Sequence, residues 1–142
     1  MVDSGVNGKF GAVAATLAKF YSGFGVRAWT EENVPATEDD GTPLNPPYIT
    51  YTLVMPPWRG VTPHQARVWT RSESNAQLME ITDKVLEAVG DGVTLEAVGA
   101  DGYVTIDPGT PLVQMQPMDD PLYKVSYINL ELGAVIAQKG AV

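Results

Sequence analysis

A run of aromatic and β-branched residues between two proline pairs constrains the fold of this chain more than any other feature. It covers residues 46–57 and reads PPYITYTLVMPP. Such residues favour a strand that is buried on at least one face, whereas proline lacks the N–H that pairs with a neighbouring strand. The sequence therefore predicts a strand over residues 46–55, ended by the prolines that follow.

Length and composition predict a single α+β domain. A chain of 142 residues can bury a hydrophobic core without disulfides or metals, and we expect one domain over residues 1–142. Its 14 glycines and 11 prolines indicate strands joined by tight turns. We therefore expect more sheet than helix.

The charge balance opposes any function that depends on binding the phosphates of nucleic acid. The chain has 9 basic and 17 acidic residues and a formal net charge of −8, whereas affinity for phosphates comes from Lys and Arg. The same sign suits a surface that DNA passes without binding. Because the chain has no cysteine, no signal peptide and no apolar run of the roughly 18 to 20 residues that a membrane span needs, we expect a soluble cytosolic protein.

Two segments have the pattern of amphipathic helices. The first has Asn7 as its expected N-cap, Gly23 as its expected stop, and apolar residues at Phe10, Val13, Leu17, Phe20, Tyr21 and Phe24. The second is predicted to begin with a Ser74–Gln77 capping box, to contain a Glu80–Lys84 pair and to end at Gly90. Its expected buried residues are Leu78, Ile81, Thr82, Val85 and Val89.

Several further segments alternate like strands. Residues 26–29 form a short candidate, and residues 65–71 place Arg67, Trp69 and Arg71 on the face opposite small apolar groups. We expect the latter segment to form an antiparallel hairpin with residues 46–55. Residues 93–97 and 103–107 flank a glycine-containing turn and predict a second hairpin, followed by a turn at 107–109. Residues 112–116 and 123–132 complete the set, with a change of phase in the last that indicates a bulge or burial on both faces.

The longest irregular segment, residues 30–45, carries only negative charges. They are Glu31, Glu32, Glu38, Asp39 and Asp40. Long loops inside compact domains are either simply solvated or functional. The two interpretations are a solvated loop, and a projecting arm that becomes ordered when a neighbouring subunit or partner supplies positive charge.

Candidate catalytic, cofactor and metal sites are lacking in the sequence, and we expect a protein that is not an enzyme. His64 is the only histidine, so a histidine metal cluster is impossible, and Pro63 beside it predicts a surface or turn histidine. The Asp39–Asp40 and Asp119–Asp120 pairs lie in turn-rich sequence, where solvated acids are the ordinary explanation. No catalytic residue, cofactor or metal ligand is therefore assigned.

Tryptophan and arginine indicate an assembly surface instead. Trp29, Trp58 and Trp69 each favour partial burial, but Trp58 and Arg59 occupy a proline-bounded turn from which a side chain tends to project. Trp and Arg are the residue types enriched at the energetic centres of protein interfaces.

The order of these segments resembles the tail terminator, or minor capsid (neck), proteins of long-tailed bacteriophages. The resemblance rests on an N-terminal helix, a Val34–Pro35 loop and a series of segments that follow in order. Those segments are PYITY at residues 47–51, ITDKV at 81–85, DGYVTIDPGTP at 101–111, QMQPMDD at 114–120 and YKVSYINLEL at 123–132.

The resemblance implies an α+β subunit, a mostly antiparallel sheet with two packed helices and, in this chain, a long acidic loop. Such subunits assemble as a ring, commonly a hexamer, that caps the tail tube, ends its polymerisation and joins the tail to the head-side connector. The implied partners are further copies of the chain, the tail tube protein and a connector or head-closure protein, with DNA passing through unbound. The implied location is the virion neck, after assembly in the bacterial cytoplasm.

A closed ring needs two complementary patches on each subunit. Our hypothesis sets an acidic patch in one subunit against a basic patch in the next, with Trp58 or Trp69 as buried anchors. A second hypothesis is an acidic lumen through which DNA slides, and it fails if the carboxylates lie on the outer rim. The interface residues that this hypothesis names are Glu38, Asp39, Asp40, Trp58, Arg59, Arg67, Trp69, Arg71, Asp119 and Asp120.

Two alternatives stay open. The chain could be a tail tube or head-closure subunit of the same virion, and a tube protein would polymerise into long cylinders rather than stop at one ring. It could instead be a small ligand-binding α+β domain with a pocket behind Tyr48, Tyr51 and Tyr127.

Overall fold

A computed structural model describes residues 8–137 and confirms the α+β class. Two helices pack on a curled, half-barrel sheet of six strands, in the order β1-β2-β3-β6-β5-β4. All neighbouring strands are antiparallel except β1 and β2. The helices are α1 (Lys9–Tyr21) and α2 (Ala76–Val89), and the strands are β1 (Arg27–Thr30), β2 (Tyr48–Tyr51), β3 (Val61–Arg71), β4 (Val93–Glu96), β5 (Asp101–Gln116) and β6 (Tyr123–Ala137).

The predicted strand over residues 46–55 is shorter than expected. β2 ends at Tyr51, and Thr52 makes one more sheet-like bond from its N–H to the Gln65 carbonyl oxygen, at 3.0 Å. Beyond it Leu53 and Val54 pack on the core without pairing to a strand. Pro56 and Pro57 offer no N–H to extend the ladder. The predicted antiparallel hairpin with β3 is confirmed.

Helix α2 buries the predicted stripe. Its five buried residues are the expected ones, namely Leu78, Ile81, Thr82, Val85 and Val89. The helix begins later than predicted: Asn75 is its N-cap, and Ser74 Oγ accepts the Ala76 N–H at 3.0 Å, so the predicted capping box does not form. The Glu80–Lys84 pair is confirmed at 4.0 Å.

Helix α1 buries a narrower face than its aromatic content suggested. Val13, Leu17 and Tyr21 are buried, whereas Phe10 in the first turn is 50% exposed. Ala12 and Thr16 complete the buried face, where small side chains allow close packing, and Thr16 Oγ1 accepts the Val98 N–H at 3.0 Å. Gly8 is the N-cap and a 3-10 turn (Ser22–Phe24) follows the helix. The expected N-cap Asn7 lies outside the described residues.

The predicted turn at residues 107–109 is wrong, because β5 continues through it as a bulge. Pro108 lies opposite Leu130 and Val113 opposite Ile128, so β5 carries extra residues between them. Both halves of β5 share β6 as their partner, which lets the extra residues loop out without redirecting the strand. A Cβ on Gly109 would lie 2.7 Å from the Asn129 carbonyl oxygen, so glycine allows the bulge to lie against β6.

His64 is a second correction, because it is a core residue and not a surface histidine. It lies inside β3 and is 2% exposed. Its Nε2 is 2.7 Å from the Tyr21 hydroxyl and its Nδ1 is 3.1 Å from Thr52 Oγ1. Pro63 does not end the strand, because β2 pairs with β3 only as far as Ala66 and leaves a free edge there. His64 therefore links α1 to the sheet.

Burial of His64 makes stability depend on pH. Burial lowers the pKa of His64 to about 4, against the 6.5 of a free side chain. Between these values the unfolded chain binds a proton that the folded chain does not. The His64 contribution is thus fully present above pH 6.5, declines as the pH falls, and levels off below the folded pKa.

Replacing His64 with Gln removes this titration and keeps a side chain that can hydrogen-bond. Between pH 7 and pH 4 we expect the free energy of unfolding to fall by about 3 kcal/mol less in H64Q than in the wild type. Urea unfolding at several pH values measures this. Since His64 is the only histidine, parallel curves for the two proteins would contradict the buried neutral imidazole.

Candidate interaction surfaces

The face of the sheet that the helices leave uncovered carries a ladder of aromatic and arginine side chains. The strand register sets Tyr48 opposite Trp69, Arg67 opposite Tyr127, and Arg71 opposite Tyr123. This confirms the prediction that Arg67, Trp69 and Arg71 share a face opposite Ala66 and Val68, which are buried.

These side chains bury one another, so Trp29 and Trp69 are partly covered within one chain. The Tyr48 ring lies 5.7 Å from Trp29 and 6.1 Å from Trp69, and the second pair is stacked. Trp69 donates its indole N–H to Thr50 Oγ1 at 3.0 Å. The Arg67 guanidinium lies 4.7 Å above the Tyr127 ring. These contacts hold the aromatic and arginine side chains of this part of the face in place within a single chain.

The arginines of the ladder meet carboxylates of their own chain. Arg67 Nε lies 3.1 Å from Glu31 Oε1 and 3.0 Å from Gln65 Oε1, and Arg71 Nε lies 3.5 Å from Asp120 Oδ2. The acidic and basic groups that the sequence hypothesis divides between two subunits thus already meet within one. Whether Arg67 and Arg71 also contact a second chain stays a prediction.

The acidic loop over residues 30–45 is anchored by Arg27. Glu38 accepts two hydrogen bonds from the Arg27 guanidinium, at 2.7 and 2.9 Å, and a third from the Asn45 N–H at 2.7 Å. Asp40 accepts the Thr42 N–H and hydroxyl. The interpretation of this loop as an arm expects a partner to supply positive charge. At Glu38 that charge comes from Arg27 of the same chain. Asp39, by contrast, forms no ion pair with any residue in 8–137.

These bonds lower the pKa of Glu38 to about 2, first through the Arg27 hydrogen bonds and then through the Asn45 N–H. A depressed carboxyl pKa stabilises the fold above the ordinary value of 4.5, and that contribution is lost as the pH falls toward the folded pKa.

Trp58 projects from the turn between β2 and β3, as predicted. It is 61% exposed, and the Lys9 ammonium lies 4.9 Å from its ring centroid. Arg59 beside it has a φ of 60°, which residues other than glycine seldom adopt. We call this surface the Trp58 tip. It borders a small cleft of about 140 Å³ lined by Lys9, Met55, Pro56, Trp58, Ala134 and Ile136.

A second surface lies at the other end of β6, around the turn that joins β5 to β6. Met115 and Met118 are 44% and 36% exposed there. They line a cleft of about 330 Å³ together with Pro117, Pro121 and Tyr123, and we call it the Met115 cleft. Asp119 is exposed beside it and forms no ion pair within the described chain, whereas Asp120 binds the Leu122 N–H and Arg71. Both methionines belong to the QMQPMDD segment, but its sequence pattern alone does not indicate that they line a cleft.

Tyr48, Tyr51 and Tyr127 do not line one common pocket, although Tyr48 lines a cleft of about 310 Å³ with Arg67 and Trp69 on the uncovered face. Tyr51 points into the core and stacks on Tyr21 at 4.5 Å, whereas Tyr48 and Tyr127 lie on the uncovered face. No three His, Asp or Glu side chains within residues 8–137 are grouped to hold a metal ion. Over the same residues, neither helix is long and apolar enough to cross a membrane.

No family model matches the chain, and no curated protein sequence is significantly similar to it.

We predict that Glu38→Gln loosens the acidic loop, because the neutral amide loses the charge-assisted bonds to Arg27. A protease of broad specificity should cleave between residues 34 and 45 several-fold faster in E38Q than in the wild type. Asp39→Asn is the matched control, since it removes a neighbouring charge that has no such partner. Equal cleavage rates in all three proteins would show that other contacts hold the loop.

Proposed function

We propose that this chain is a structural subunit of a long-tailed bacteriophage that assembles as a closed ring at the head-side end of the tail tube. The ring, of six copies by the resemblance described above, ends tube polymerisation and joins the tail to the connector. One observation carries the proposal: the Trp58 tip and the Met115 cleft are different from each other and lie at opposite ends of β6.

Two unlike surfaces favour a head-to-tail contact. A two-fold symmetric dimer uses one surface on both partners, whereas a ring repeats a contact between two different surfaces. The cleft linings reach from Tyr123 to Ile136, a separation of roughly 40 Å along an extended strand. One subunit therefore cannot cover its own cleft with its own tip, and each copy keeps one surface for each neighbour.

Charge supports a channel through which DNA moves without binding. The chain has a net charge of −8, and fixed carboxylates repel the DNA backbone within a Debye length of about 8 to 10 Å. Arg27, Arg67 and Arg71 lie against carboxylates of their own chain and are not free to bind phosphates. Exposed Asp39 and Asp40 are the residues that we expect to face the lumen.

The mass of the assembly tests this function. Size-exclusion chromatography with light scattering over a wide range of concentrations, with negative-stain imaging of the same samples, should show discrete closed rings. Where the free protein is monomeric, purified tail tubes added to it should each acquire one ring at one end, because weak subunit contacts can be templated.

Other outcomes would contradict the terminator function. Long cylinders formed by the chain alone would assign it to the tail tube. Binding along the whole length of added tubes, or no binding to them by a strict monomer, would rule out a cap at the tube end.

A further inference from the structure

We propose that the Trp58 tip of one copy inserts into the Met115 cleft of the next copy, with Arg59 of the first beside Asp119 of the second. This contact rests on the proposed ring, and it replaces the Arg67 and Arg71 pairing between subunits as the central contact. The occupant of the cleft is thus a second copy of the same chain.

The tip has the features of an interface anchor. Trp58 exposes 61% of its surface in a turn that Pro56 and Pro57 bound. Large aromatic side chains that become desolvated in a partner's pocket supply most of the binding energy at protein interfaces. The Lys9 ammonium lies 4.9 Å from the ring centroid and Arg59 is the next residue in the chain, and neither cation forms an ion pair with any residue from 8 to 137. The tip is therefore a basic, aromatic projection on an acidic chain.

The cleft offers the complementary chemistry. Its volume of about 330 Å³ suffices for an indole ring, and its exposed Met115 and Met118 are unbranched side chains that adapt to an inserted aromatic group. Asp119 follows Met118 directly in the chain, is exposed, and forms no ion pair with any residue from 8 to 137. Lys124 also lines the cleft, and it donates to the Pro121 carbonyl oxygen at 2.7 Å.

Charge favours this pairing over a contact between two tips. Two tips facing each other would bring together Lys9 and Arg59 of both copies. Like charges set against each other weaken an interface, whereas opposite charges fix the register of docking. Tip against cleft instead sets Arg59 against Asp119, which lies one residue from Met118 of the cleft lining.

Cross-linking tests the contact directly, because the chain contains no cysteine. Pro57→Cys and Pro117→Cys introduce thiols beside the tip and beside the cleft while Trp58, Arg59 and Asp119 stay in place. With a short bis-maleimide, a chain that carries both substitutions should give a covalent ladder that ends at the subunit number of the ring. A mixture of the two single variants should give dimers only. Lys19→Cys with Pro117→Cys is the control and should give no ladder.

A charge exchange adds an independent readout. Arg59→Glu and Asp119→Lys should each weaken association about tenfold or more, and the two together in one chain should restore it. Lys19→Glu and Asp91→Lys make the same charge changes at exposed positions away from both surfaces and should leave association unchanged. Circular dichroism of every variant checks that it folds.

The outcomes separate this contact from the proposed function. Rings without cross-links, and with no effect of charge exchange, would overturn the contact and leave the function standing. Open filaments that cross-link as described would support the contact and contradict a terminator. A chain that stays monomeric both alone and with tail tubes overturns both.

Discussion

Strand β6 pairs with β3 along one side and with β5 along the other, and this double pairing is the constraint on which the rest of the structure depends. Its partners run from Arg71 to Val61 on β3 and from Gln116 to Asp101 on β5. A strand bonded on both sides cannot slip by one residue without turning its whole buried set to the opposite face. Ile128, Leu130 and Leu132 are thereby fixed against the helices.

The same register explains how arginine side chains on the uncovered face come to form ion pairs with acidic residues of the same chain. It brings Arg67 and Arg71 beside Tyr127 and Tyr123, at positions where Glu31 and Asp120 reach them. Partly exposed ion pairs of this kind contribute little to stability. Their larger consequence is that Arg67 and Arg71 already have acidic partners. Of the charged residues in the interface hypothesis, those that form no ion pair within residues 8–137 are Asp39, Asp40, Arg59 and Asp119.

The sequence predicted what depends on short-range pattern. The buried stripe of α2 and the alternation of β3 follow from spacing alone, because each repeats every turn or every second residue. His64 was misjudged because its burial depends on Tyr21 and Thr52, which are distant in sequence and supply the hydrogen bonds that a buried ring needs. The sequence predicts a turn at residues 107–109, where the structure has a bulge in β5. Pro108 and Gly109 are compatible with a turn and with a bulge, and only the pairing of β5 with β6 distinguishes the two.

The candidate surfaces were likewise predictable only where they depend on local sequence. An exposed Trp58 was predictable from its proline-bounded turn, whereas the Met115 cleft needs the turn between β5 and β6 to close around it. The sequence hypothesis also set the acids of residues 30–45 and 119–120 in one patch against Arg59, Arg67 and Arg71 in another, because a sequence does not show which charges find partners within the chain. Arg27 with Glu38 is the clearest case, since the folded path of the acidic loop brings Glu38 back against β1.

In the ring proposed above, the net charge of each copy and the local charge at a contact act at different ranges. Copies that each carry −8 repel one another at separations up to about a Debye length, whichever surfaces they present. A contact at the Trp58 tip, where Lys9 lies against the ring and Arg59 follows it in the chain, reduces this repulsion locally. Specificity is the difference in affinity between one contact and its competitors. Repulsion between acidic surfaces weakens the competing contacts more than a contact at the basic tip, and so enlarges this difference. In the proposed ring, a basic, aromatic projection on an acidic chain would therefore favour contacts made through that projection over contacts made elsewhere on the described surface.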